Sequence, residues 1–124
     1  MEECGIFLYD GKPTMEVYVN GVGYSHVFSD TVVVANKIYD ICGTYDGKKI
    51  KLYVNGEDKG TLEISGDIKN PDNNTVMGIG ANPDGNEART YSNINIYNVL
   101  IYEKALEQYE IKHNYKIDKA RFNF

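Results

Sequence analysis

The run Thr44-Tyr45-Asp46-Gly47-Lys48-Lys49-Ile50-Lys51-Leu52-Tyr53-Val54-Asn55-Gly56 constrains the fold most, because it sets two strand-like stretches around an Asp-Gly hinge and closes the second with Asn-Gly. Both dipeptides reach positive φ at little steric cost and, between alternating residues, are the strongest short-range hairpin signal. Successive side chains alternate across a strand, so Ile50, Leu52 and Val54 are expected to face a core, with Lys49, Lys51 and Tyr53 on the opposite face. This reads as a half-buried antiparallel strand. Asp46 is expected to act as the first residue of its turn.

Similar apolar runs recur along the chain: Cys4 to Tyr9, Thr14 to Val19, Thr31 to Ala35, Ile38 to Tyr45, Ile50 to Val54, Gly60 to Ile64, Thr75 to Ile79 and Tyr91 to Tyr102. Asp10-Gly11, Asn20-Gly21, Asp46-Gly47, Asn55-Gly56 and the Asn- and Asp-rich stretches 67–74 and 82–86 separate them. Short strands at such spacing, with turn residues between them, indicate an all-β sandwich or barrel. Tyr18-Val19-Asn20-Gly21 recurs as Tyr53-Val54-Asn55-Gly56, and it is read as one strand-end solution used twice. A single short helix is expected over about 103–116, centred on 105–114, where Ala105, Leu106, Glu107 and Gln108 are good helix formers. Its apolar residues Leu106, Tyr109, Ile111 and Tyr115 make two partial stripes, which places it at the surface.

At 124 residues the chain fits one domain. Eleven Tyr and four Phe with no Trp suit β surfaces, since a Tyr ring can pack on a sheet while its hydroxyl stays wet. A net charge of −5 argues against a nucleic-acid partner, which would call for clustered Lys and Arg. Membrane insertion is not expected, because no run approaches the ~18 apolar residues of a span. Cys4 and Cys42 sit in strand-like surroundings and read first as small buried hydrophobes.

Three segments taken in order resemble the laminin-G-like, concanavalin A-like lectin/glucanase jelly-roll family. They are Ile38 to Gly47, with its Thr44-Tyr45-Asp46-Gly47; Leu52-Tyr53-Val54-Asn55-Gly56; and Ile96 to Leu106, with its Val99-Leu100-Ile101-Tyr102, followed by Glu110-Ile111. Ile38 stands where the family usually has Trp, and Asp40 where it often has His. The resemblance implies an antiparallel two-sheet jelly-roll sandwich with a short C-terminal helix, and ligands on one sheet or at one rim. Family members usually carry more strands before the segment matched by Tyr39. The resemblance therefore implies that residues 1–124 form a single such domain, or the C-terminal part of a longer one.

Glycosidases of this fold place carboxylates at alternate positions of one strand, so that they project together. No such triplet occurs here, and an enzyme is not expected. His26, near Ser25 and Asp30, lacks the context of a nucleophile elbow; His113 suits the C-terminal half of a helix. The loop Asn82-Pro83-Asp84-Gly85-Asn86-Glu87 has the oxygen chemistry that Ca²⁺ takes, with Asp84 and Asn86 as candidate ligands, and it is equally an ordinary turn. Candidate ligand-binding residues are Tyr18, Tyr24, Tyr53 and Tyr91 as aromatic platforms, and Asn82, Asp84, Asn86 and Arg89 as rim hydrogen-bonding groups. The expected function is a non-catalytic module that binds a glycan or cell-surface polysaccharide. The resemblance puts it in a phage tail or bacterial surface protein, hence extracellular or virion-associated. The alternative is a structural module that pairs with other chain segments or with its own copies through an exposed sheet edge.

Overall fold

A computed structural model of the protein describes residues 4–70, 77–81 and 93–124. Tight turns sit where the sequence supplies positive φ. β1 (Cys4–Tyr9) passes into β2 (Lys12–Val19) through Asp10 and Gly11, at φ 48° and 74°. β2 returns as β3 (Gly23–Phe28) around Gly21. β4 (Ile41–Tyr45) and β5 (Lys49–Val54) join across Asp46-Gly47, where Asp46 Oδ1 accepts the backbone N–H groups of Lys48 and Lys49 at 2.9 and 2.8 Å. Those two bonds hold the Asp46 carboxyl below its usual range. β5 turns into β6 (Glu57–Glu63) through Asn55 and Gly56, at φ 53° and 76°. All pairings are antiparallel, giving two three-stranded sheets in the orders β1-β2-β3 and β4-β5-β6.

The sheets pack face to face. Met15, Val17, Val19 and Val27 of the first sheet meet Ile50 and Leu52 of the second, and Ile41, Tyr45 and Ile64 close the margin. Val54 is also buried, so the core side of β5 carries Ile50, Leu52 and Val54 as its alternation requires. Two glycines set how closely the layers approach. A Cβ on Gly43 would overlap Met15 Sδ, and one on Gly60 would lie 2.5 Å from Val27 Cγ1. The outer face of β5 is covered at its Tyr53 end, where Tyr53, Leu106 and Ile111 form a second buried cluster with Cys42.

Ile111 belongs to α1 (Gln108–Phe122). Its start is fixed by a reciprocal capping box, in which the backbone N–H of Glu107 donates to Glu110 Oε2 at 2.8 Å and the Glu107 side chain accepts the N–H of Glu110. Lys104 Nζ reaches Glu110 Oε1 at 2.6 Å. The helix therefore begins later than expected, and it runs to Phe122, where Asn123 caps it in the left-handed conformation.

Several strand expectations change. β3 was absent from the expected set, because its aromatic residues face solvent and Ser25 and Val27 face the core. Residues 31–35 form no strand: Val33 N–H makes one bond, 2.8 Å, to Gly11 O beside the first turn. The strand expected from Ile38 begins only at Ile41, since Asn55 Oδ1 takes the N–H of Asp40 at 2.9 Å in place of a ladder bond. Residues 93–102 are likewise in no strand, and of the expected strand 75–79 the described residues 77–79 are in none, while 75 and 76 lie outside the described residues. Cys4 is exposed at the start of β1, not buried as expected, and Cys42 is half-buried beneath α1.

Burial, with the neighbouring Asp40 charge second, pushes the Cys42 thiol up to about 11. Burial also raises the Asp40 carboxyl, with Asp118 of α1 adding to it. Both groups hold their proton more tightly folded than unfolded, so each contributes stability at low pH that is lost as pH rises. For Cys42 the window is 9.0 to about 11. We expect the thermal midpoint of the wild type to fall further across that window than that of Cys42→Ala; parallel curves would remove the thiol from the account. Leu52 is fully buried, and Leu52→Ala should lower unfolding free energy by about 2–5 kcal/mol in urea titrations. Gly56 combines positive φ with Tyr115 Cδ1 3.2 Å from a built Cβ. Gly56→Val should therefore destabilise far more than Glu57→Val, through both backbone strain and displacement of α1.

Candidate ligand-binding face

The outward face of the first sheet carries a continuous aromatic layer. Antiparallel register pairs Tyr18 with Tyr24, Glu16 with His26 and Thr14 with Phe28, while Phe7 of β1 lies opposite Thr14 from the other side. Period-2 alternation puts all of these on one face, together with Tyr9. Tyr18 and Tyr24 meet edge to face, with centroids 4.8 Å apart and planes at 88°. His26 stacks near Phe28 at 6.0 Å and 17°, and presents its edge to Phe7 at 6.4 Å. Tyr9 closes on Phe28 at 5.7 Å. Thr14, at 0% exposure, is sealed in the row between Phe7 and Phe28. The outermost rings remain open, at 58% for Tyr9, 49% for Phe28 and 39% for Tyr24.

Polar chemistry is concentrated at the middle of this layer. Glu16 and His26 are in direct side-chain contact, with the carboxylate mostly covered and the imidazole about one-third exposed. At the Tyr18 end, Asp67, Ile68 and Lys69 run beside the end of β2. The N–H of Asn20 donates to Asp67 O at 2.9 Å, and that of Lys69 to Tyr18 O at 3.1 Å. This brings Lys69 Nζ over the Tyr18 ring at 5.3 Å. Tyr45 Oη, donating to Gly66 O at 2.6 Å, fixes the crossing that delivers this segment from the second sheet to the first.

Of the residues singled out from sequence, Tyr18 and Tyr24 are brought together on this face. Tyr53 is not: at 2% exposure it lies under α1, so its ring is closed to a ligand. Tyr53 shares the outer side of β5 with Lys49 and Lys51 as expected, but Leu106 and Ile111 cover its end of that side, so the Tyr53 ring is not wet while the two lysines stay about one-third exposed. Asn82, Asp84, Asn86, Arg89 and Tyr91 lie outside the described residues, as does the calcium reading of Asp84 and Asn86. Ser25 and His26 point to opposite faces of β3, and Asp30 pairs with Lys59 at 3.8 Å, so no nucleophile system assembles around His26. Phe7, Tyr9, Glu16, His26 and Phe28 were not anticipated. The signal was present as aromatic alternation, Phe7/Tyr9 and Tyr24/His26/Phe28, in phase with Glu16/Tyr18.

A search of curated proteins gives no match. Among solved structures, the chain is similar to an S-layer domain-containing protein (residues 221–444) from Clostridium thermocellum ATCC 27405, with TM-score 0.58 and 21% identity over 85% of this chain and 52% of that one. The chain thus spans about half the length of that structure, and the likeness is one of fold. A laminin-G family profile, described as the concanavalin A-like lectin/glucanases superfamily, matches residues 5–112. With its two facing antiparallel sheets and family motifs in order, the chain belongs to the concanavalin A-like lectin/glucanase superfamily, in its laminin-G branch.

Proposed function

We propose that the protein is a non-catalytic module that binds an extended, uncharged glycan across the outward face of β1, β2 and β3, and that it serves at a cell or virion surface. The observation that carries this reading is the aromatic layer itself: exposed rings of Tyr9 on β1 and of Tyr24 and Phe28 on β3, with the Glu16–His26 pair between them. From Tyr24 to Phe28 the layer extends about 13 Å along β3, at roughly 3.3 Å per residue. That length suits several linked sugar rings better than one. Apolar C–H faces of sugars stack on rings, and hydroxyls find the carboxylate and imidazole, the mixture of apolar wall and few polar groups usual in ligand sites.

Glycoside hydrolysis calls for two carboxylates flanking the bond. Among the described residues of this face only Glu16 is a carboxylate, which supports a binding role in preference to a hydrolytic one. Relation to a superfamily named for both lectins and glucanases fits either chemistry, so the weight rests on that single carboxylate.

The test is a neutral-glycan array on a multimeric form of the protein, followed by titration of the best ligand, with tyrosine emission as the readout in a chain of eleven Tyr and no Trp. Tyr24→Ala and Phe28→Ala should each weaken binding by about 1–2 kcal/mol, as truncation of aromatic anchors does, with the circular dichroism unchanged. Raising salt from about 0.05 to about 0.5 M should leave affinity nearly constant, because screening acts on charges. Loss of binding in Asp84→Ala with none in Tyr24→Ala or Phe28→Ala would move the site to the 82–91 loop.

A further inference from the structure

We infer that residues 93–102 of one copy add as a strand to the open edge of β1 in a second copy, and reciprocally, so that the protein forms a two-fold dimer. The first observation is the segment itself. Residues 93–102 are Asn-Ile-Asn-Ile-Tyr-Asn-Val-Leu-Ile-Tyr, with strong strand formers, no charge and no proline. They nevertheless belong to no strand, and among the described residues the backbone of 93–101 makes no hydrogen bond. Ile94, Ile96, Tyr97, Val99, Leu100, Ile101 and Tyr102 are 45–73% exposed. So many large apolar side chains in one run mark an interaction surface, and an extended backbone seeks a ladder partner.

The second observation is a matching vacancy in the same chain. Among the described residues β1 is an edge strand, bonded to β2 on one side only. Ile6 and Leu8 share the core-facing side with Met15, yet they are 47% and 42% exposed while Met15 is 8% exposed. Cys4 to Tyr9 also has no charge and no proline, the devices by which edge strands normally resist pairing. Both elements thus lack what would keep two such strands apart.

A single copy does not join them in this arrangement. Residues 93–102 run along α1, with the Tyr97 ring 5.5 Å from that of Phe122 and Tyr102 Oη accepting from Asn114 Nδ2 at 3.2 Å. That helix packs on the outer face of the second sheet at Tyr53, whereas β1 belongs to the first. A second copy supplies both missing partners at once, as a two-fold interface does. Ile6, Leu8 and the seven exposed side chains of 94–102, each about half-exposed, offer on the order of 800 Å² per partner, the contribution usual in a stable interface.

Light scattering after size exclusion, on the whole chain at about 10–100 μM, a range in which μM-grade association is visible, gives the test. The wild type should have twice the monomer mass. Ile6→Lys puts a charge under β1, and Val99→Pro removes an N–H that a paired strand needs; each variant alone should be monomeric, with circular dichroism and melting that show it folded. An equimolar mixture of the two should recover a dimer, because one of its two reciprocal contacts is then intact on both sides. Should Ile6→Lys fail to fold, Leu8→Lys replaces it. A monomeric wild type, a dimer indifferent to both substitutions, or a mixture that stays monomeric would overturn the proposal; the last would point to β1 pairing with β1, or segment with segment.

Discussion

The close approach of the two sheets at Gly43 and Gly60 is the constraint on which the rest of the molecule depends. Met15 and Val27 occupy the space that side chains at those positions would fill. Val17, Val19, Ile50 and Leu52 can then pack together between the layers. Close packing of this kind makes cores intolerant of added volume as well as of lost volume. It also fixes which faces are left over. With one side of each sheet committed to the shared core, the other side of the second sheet is covered at Cys42 and Tyr53 by Leu106 and α1, and that of the first sheet is left with its aromatic layer open.

The repeated tetrapeptide makes that consequence concrete. In Tyr18-Val19-Asn20-Gly21 and Tyr53-Val54-Asn55-Gly56 the valines are buried in the core and the glycines take φ 78° and 76°, so the local sequence performs the same task twice. The tyrosines differ entirely in fate. Tyr18 pairs with Tyr24 on an open face, and Tyr53 is sealed by Leu106 and Ile111 from a segment more than fifty residues later. Strand alternation says which way a side chain points; only the tertiary arrangement says whether anything lies there. That is why hairpins, turn glycines and the core face of β5 could be read from the chain, and the roof over Tyr53 could not.

The same distinction explains the other departures of the structure from the sequence pattern. β3 inverts the usual pattern, setting Tyr24, His26 and Phe28 toward solvent and Ser25 toward the core, so a search for apolar runs passes over it. Residues 31–35 and 93–102 have strand composition without a paired strand, because β propensity expresses fit to a neighbour and not a preference of the isolated backbone. The helix start was misplaced by a few residues because its boundary is set by the reciprocal Glu107–Glu110 capping box, a local signal weaker in sequence than the run of good helix formers before it. The candidate site was legible in part: Tyr18 and Tyr24 could be named, and the aromatic partners on β1 and β3 required the register that aligns them.

That register also decides what chemistry the open face can perform. Glu16 is the only carboxylate among its described residues, and its side chain is already engaged by His26. A carboxylate so held is oriented as a hydrogen-bond acceptor, with the imidazole presenting its remaining polar edge, and neither is arranged as a pair flanking a scissile bond. Rings on both sides of the couple cover it in part without enclosing it, since the imidazole is about one-third exposed and Tyr9, Phe28 and Tyr24 remain open. Under the proposed reading, a shallow aromatic surface of this kind would bind through area and stacking in place of charge, with modest single-site affinity that repetition multiplies. A dimer made through the β1 edges would carry two such faces, each built in part from β1, and strand addition at that edge would continue the sheet on which the aromatic layer stands.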